Sequence, residues 1–224
     1  MQQMTETLPP FVESFNEVIR DAEIFASMAR AKELQTEACQ KLTGLLDDVS
    51  DEKKSAIQAE NADYANLLLG CECVAGGILA EITMLIQLKN DDSENAWDSL
   101  IDAQSSYASA IRAHRGFQHL TDACNRLDVL EQLFFPPQVF VSSGFIVNTQ
   151  ECSICGSDYD ECEHLVLKPY MGRFCVIIAR DVMVDHVSIV DHPADKRCRV
   201  RQFGVEGGYR NKMTWRVEPA QPET

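Results

Sequence analysis

Between residues 151 and 164 the chain reads ECSICGSDYDECEH, three cysteines and a histidine within fourteen residues. Cys152 and Cys155 form a C-x2-C pair, and Cys162 and His164 form a C-x-H pair. A tight C-x2-C turn aims both sulfurs at one point. An extended C-x-H segment puts both side chains on one side of the backbone. Gly156 permits the turn that such a knuckle needs. Three sulfurs and one nitrogen make a complete tetrahedral set for zinc. A complete set leaves no open position for water, which points to a structural ion rather than a catalytic one. Cys175 is the rival fourth ligand if His164 points away, but its RFCVII setting reads as a core strand. A redox C-x-x-C pair is the other alternative, and it lacks the usual place at a helix N-terminus after a strand.

The remaining chemistry-bearing residues are sparser. Cys71 and Cys73 are two apart on a helical pattern and point to different faces, as core residues do. His114 and His119 are the only histidines in the first 135 residues, and neither follows a glutamate at three residues' distance. That excludes the Glu-x-x-His pairs of a di-iron helical protein. No Gly-rich phosphate loop, H-E-x-x-H or G-x-S-x-G element is present.

A chain of 224 residues with 45% hydrophobic and 25% charged content is ordinary globular material and can bury a sizeable core. Its net charge of −15 repels DNA, RNA and anionic membrane at long range. No run of 18 consecutive apolar residues occurs, so no membrane partner is expected. MQQMTETLPPF lacks the basic start and apolar run of a secretory signal. The expected compartment is cytoplasmic and reducing, where nine cysteines serve as thiols or metal ligands rather than disulfides.

Two segments must position the cysteine cluster, and the expected fold class is α+β. Residues 1–135 predict an antiparallel, up-and-down helical bundle. A first helix follows Pro9-Pro10, with apolar residues every three or four from Phe11 to Leu46. DDVSDEKK breaks it, and Ser50 or Asp51 is placed to cap the next. The second helix runs through Tyr64, Leu68, Val74, Ile82 and Ile86. Gly70, Gly76 and Gly77 within it imply close helix packing or a kink. A third helix starts near Ser93, and a fourth spans Phe117 to Phe134. This half holds 23 acidic and 10 basic residues, against 12 and 10 in the rest. Such an acidic surface is either solvated or meets a basic protein, so a protein partner or self-association through the bundle is expected.

Pro136-Pro137 ends the helical regime. Residues 136–224 predict a small zinc-stapled β module with a basic C-terminal hairpin. QVFVSSGFIV, RFCVIIARDV, DHVSIVDH and RCRVRQFGV read as strands. EGG at 206–208 is a turn, with NKMTWRV pairing back and QPET frayed. A structural zinc contributes roughly 10–16 kcal/mol of apparent binding energy coupled to folding, so it would set the geometry of residues 145–175.

VSSGF at 141–145, followed by DHVSIVDHPADKRCRV at 185–200, resembles the C-terminal half of tailed-phage prohead proteases, the capsid-maturation enzymes. In that family a strand of the form L-S-I-G-F carries the catalytic serine, and a later strand reads roughly E-V-S-L-V, followed by P-A-N-P. The stretch between them, with Tyr170, Gly172 and Cys175, is similar to a zinc-knuckle insert of some phage and mobile-element relatives. The resemblance covers residues 139–201. It implies that Ser142 holds the nucleophile's position and that Ser188 matches the serine of the second strand. The family's histidine lies upstream in β-strands, where this chain is helical. His186 stands in place of the usual acidic residue and is the candidate base for Ser142, since a serine hydroxyl needs an adjacent base.

Residues 196–216 hold Lys196, Arg197, Arg199, Arg201, Arg210, Lys212 and Arg216 against Glu206 alone. With Tyr209 and Trp215 they offer a small nucleic-acid face. The same cations can dock on the chain's own acidic helices, which the overall charge favours. The expected function is therefore a non-enzymatic, zinc-containing interaction or scaffold protein. A serine peptidase using Ser142 and His186 is the alternative, and nucleic-acid binding through the basic patch a weaker one.

Overall fold

The structure is a computed structural model that describes residues 9–219. The first eight residues of MQQMTETLPPF and the terminal QPET lie outside the described residues. The fold is α+β, with five α-helices followed by small antiparallel sheets. The helices are α1 (Pro10–Glu23), α2 (Lys32–Gln58), α3 (Ala62–Lys89), α4 (Ser93–Ala113) and α5 (Thr121–Phe134). A 3-10 turn, Arg115–Leu120, joins the last two.

The expected four helices are thus five, and two boundaries move. The first helix divides at residues 24–31, where Gln35 Nε2 donates to the carbonyls of Phe25 and Ser27. DDVSDEKK does not end a helix. Leu42, Leu45, Val49 and Ala56 are buried at helical spacing straight through it, and its charges form a solvated face. The turn comes later, at Ala59-Glu60-Asn61. Neither Ser50 nor Asp51 is a cap there. Asn61 is, its side-chain oxygen accepting from Tyr64 N–H at 3.2 Å.

The helix α3 is apolar all round and packs against α2 and α4. It is long and apolar enough to cross a membrane, and 61% of its most apolar window is buried inside the protein. The criterion of an unbroken apolar run misses it because Glu72 and Glu81 interrupt the sequence. It runs without a break through its three glycines. A Cβ on Gly70 would lie 2.0 Å from the Phe117 ring, and one on Gly77 would lie 3.1 Å from Tyr107. Close packing, not a kink, accounts for both.

After the double proline, β1 (Phe140–Cys152) pairs antiparallel with β4 (Ile177–Val190) in a long two-stranded ribbon. The expected strands RFCVIIARDV and DHVSIVDH are largely one strand, since nothing between them turns the chain. A register shift between Gly144 and Phe145 leaves Asp185 as a bulge. Two short strands, β2 (Pro169–Tyr170) and β3 (Arg173–Phe174), lie within the loop that joins β1 to β4. A three-stranded sheet of β5 (Gln202–Val205), β6 (Gly208–Asn211) and β7 (Val217–Pro219) closes the fold.

Both ends of the ribbon are tied to the helices. At one end Phe140 packs 6.2 Å from Trp97, and Phe135 and Met213 join the same core. Trp97 Nε1–H also donates to the Lys196 carbonyl at 3.1 Å. At the other end Gly172 N–H donates to Asn66 Oδ1 of α3 at 2.9 Å.

Candidate metal centre

The cysteine cluster sits where the ribbon opens into its connecting loop. Cys152 is the last residue of β1 and is buried. Gly156, at φ +73°, donates its N–H to the Cys152 carbonyl at 2.8 Å and closes the C-x2-C turn. Only a residue free of a Cβ adopts that backbone without strain. The N–H of Ile154 points at Cys152 Sγ, 3.4 Å away. Asp158 caps a single 3-10 turn, Tyr159–Glu161, which delivers Cys162 and His164 back to the first pair.

Two tyrosines hold that return. Tyr170 Oη accepts from Leu165 N–H at 3.0 Å, and Tyr159 Oη accepts from Val166 N–H at 3.3 Å. The Tyr170 ring meets the His164 imidazole edge to face at 4.7 Å.

One ligand atom each from Cys152, Cys155, Cys162 and His164 lies within 4.8 Å of all the others. This group can hold a metal ion. His164 Nδ1 is buried without a hydrogen-bond partner, an arrangement that a bound cation would satisfy. The rival ligand Cys175 lies outside the group, buried beneath it with its sulfur 3.7 Å from that of Cys152.

Charge is graded across the four sulfurs. Burial resists ionisation of Cys152, but the N–H groups of Cys155 and Ile154 and the Cys162 and Cys155 thiols outweigh it and lower its pKa to about 7. The Ser157 N–H and hydroxyl lower that of Cys155. Burial raises Cys162, and it raises Cys175 to about 11. Cys152 is therefore the first thiolate available to a cation, while Cys175 keeps its proton.

The proposed catalytic residues lie on the ribbon. Ser142 pairs across from Ser188, and Gly144 pairs across from His186, so all four share one face. His186 Nδ1 lies 2.9 Å from Asp185 Oδ2. Its ring covers Gly144, where a Cβ would come within 2.4 Å. Among the described residues no hydrogen bond joins Ser142 to His186. Asp185 was not singled out in the sequence, and its adjacency to His186 is the signal that marks it.

The basic C-terminal segment is turned on the protein's own acids. Lys196 pairs with Glu131 at 2.6 Å, Arg199 with Glu94 at 2.5 Å and Arg216 with Asp91 at 2.6 Å. Arg197 pairs with Asp102. A second feature hidden in the sequence is Glu81, fully buried on α3 with Arg126 at 2.8 Å and Tyr107 at 3.3 Å. Burial raises its pKa. A charge inside the most apolar helix is its only sequence signal.

No protein-family model, curated protein or solved structure matches the chain.

Proposed function

We propose that this chain is a non-enzymatic interaction or scaffold protein whose C-terminal part is stapled by a structural zinc ion, of phage or mobile-element ancestry and at work in the cytoplasm. The mutual approach of the Cys152, Cys155, Cys162 and His164 ligand atoms to within 4.8 Å carries this reading. Zinc is favoured over other ions by the donor set, three thiolates and one imidazole. The buried, unpartnered Nδ1 of His164 supports it further. An ion held by four protein ligands has no free position for substrate, so its role is to fix the loop of 152–175 against the helices. Elemental analysis of purified protein tests the reading. One zinc per chain is expected, and metal-free protein that retains its fold would overturn it.

A second reading is favoured by one observation. The Asp185–His186 hydrogen bond, on a ribbon face shared with Ser142, supplies two members of a Ser-His-Asp arrangement. This supports a serine peptidase of the prohead-protease kind. It ranks second because, among the described residues, the Ser142 hydroxyl makes no hydrogen bond to a base. Labelling by a fluorophosphonate probe, lost in Ser142→Ala, would raise it to first place; absence of labelling removes it.

A further inference from the structure

The β1–β4 ribbon is exposed on both faces between its ends, and one face is much the more apolar. Its register places the half-buried Phe140 and the buried Cys152 on one face with Ser142, Asn148, Gln150, Ser188 and His186, where Ile146 and Met183 are the exposed apolar exceptions. The opposite face carries Phe145, Val147, Val182, Val184, Val187 and Ile189. Four of these are more than half exposed, Phe145 at 55%, Val187 at 63%, Val184 at 65% and Ile189 at 76%. The first face is thus mostly polar, and the second presents a largely apolar stripe to water, interrupted by Ser143. Among the described residues no α-helix or further sheet packs extensively along the ribbon. A lone two-stranded ribbon is marginal in water, and a third layer on an apolar face is what stabilises one.

We propose that this face is the seam of a homodimer, in which the ribbons of two copies pack apolar face to apolar face about a two-fold axis. Three observations select a second copy as the occupant. A largely apolar stripe is complementary to itself, which is the requirement of a two-fold interface. Its extent suffices: strands of this length, about 40 Å long and roughly 15 Å wide with side chains, cover about 600 Å² per copy and so reach about 1,200 Å² in total, the lower bound of stable interfaces. Charge also selects it. The chain carries −15, so most of its surface repels another copy. The stripe holds one cation and one anion, Arg180 and Glu151, already paired at 2.9 Å, and is the neutral place where two acidic molecules can meet. A basic partner would be drawn to the acidic helices instead.

This inference deepens the scaffold reading and rests on it, by naming what the scaffold holds. Sedimentation of the full, metal-loaded chain between about 1 and about 100 µM tests it, a span that brackets the micromolar dissociation constants expected of an interface at the lower size bound. The expected result is a concentration-dependent rise to twice the 25.1 kDa chain mass. Val184→Asp combined with Val187→Asp is expected to weaken the dimer at least about thirtyfold while leaving bound metal and helical circular dichroism unchanged. Hydrogen exchange of the wild type supplies a check that needs no variant, with ribbon amides protected more at the higher concentration. A monomer at every concentration, undiminished dimerisation of the variant, or an apolar face taken instead by lipid vesicles would each overturn the proposal. Monomeric protein with one zinc would sink the dimer alone. A dimer without metal would sink the zinc reading alone.

Discussion

Cys175 Sγ lies 3.7 Å from Cys152 Sγ, yet stands outside the four-atom group above it. With Cys175 held protonated near 11 and Cys152 drawn toward 7, the proton between them belongs to Cys175. Its place outside the four-atom group makes it a neighbour that supports a ligand rather than one of the ligands. Cys175→Ser is expected to retain one metal per chain with affinity lowered about tenfold, as for loss of an outer-shell partner. Cys152→Ser, Cys162→Ser and His164→Ala should each lose stoichiometric binding. Competition against a chromogenic chelator measures all four. Loss of binding in Cys175→Ser together with retention in His164→Ala would reverse the ligand assignment.

Loading the site must expel protons, because a cation binds thiolates. Near pH 8 Cys152 is already largely ionised, while burial keeps Cys162 above its ordinary 9.0. Zinc binding at that pH should therefore release at least about one proton, chiefly from Cys162. As pH falls through about 7, Cys152 takes up its proton as well, so affinity should drop more steeply below pH 7 than above it. Proton release into a weakly buffered indicator dye, followed across that range, gives both results.

Arg199 is enclosed between the helices and the start of β1, its side chain 0% exposed. It pairs with Glu94 at 2.5 Å and lies 5.5 Å over the Trp97 ring, while its Nε finds no partner. Removing the acid strands a buried guanidinium. Glu94→Ala should cost about 3–5 kcal/mol in urea unfolding. Arg199→Met should cost much less, because Glu94 keeps access to water and the methionine can fill the space.

The glycines of α3 separate packing from propensity. Gly→Ala inside a helix ordinarily gains about 1 kcal/mol. At Gly76 the nearest atom to a new Cβ is Ser106 Oγ at 3.9 Å, so Gly76→Ala should show that gain. At Gly70 the new carbon would meet the Phe117 ring, and Gly70→Ala should instead lose about 1–3 kcal/mol. Thermal melts of the two variants should move in opposite directions.

The helical half, the strand regime after Pro136-Pro137 and the C-x2-C and C-x-H pairs were legible because each rests on local spacing. The pairing of β1 with a continuous β4 was not, since Asp181 and Asp185 look like turn residues and serve as an irregular φ +50° residue and a bulge. Nor was the exposure of the ribbon's more apolar face. It depends on which ribbon ends the helices hold, and that is set by Trp97 meeting Phe140 and Asn66 meeting Gly172 across distant parts of the chain.

The missed boundary between α2 and α3 has a local cause that can be tested. Asn61 N–H donates to the Ala56 carbonyl at 3.0 Å and Glu60 N–H to the Ile57 carbonyl at 3.0 Å, the paired bonds of a Schellman stop. That stop demands a left-handed residue, and sequence reading looks for glycine there. Here the position is Glu60, at φ +54°. The end of α3 repeats the device, with Asp91 at φ +60° and Asp92 N–H bonded to the Gln87 carbonyl at 3.0 Å. A side chain in this conformation costs about 1–2 kcal/mol relative to glycine, with Asp tolerated better than Glu. Glu60 is exposed and makes no side-chain hydrogen bond among the described residues, so nothing offsets the strain. Glu60→Gly should therefore stabilise the protein by about 1 kcal/mol in chemical denaturation. Asp91→Gly should gain less, because it also gives up the ion pair with Arg216 at 2.6 Å. Equal gains, or a loss at Glu60, would mean that the turn is held by something other than this backbone stop.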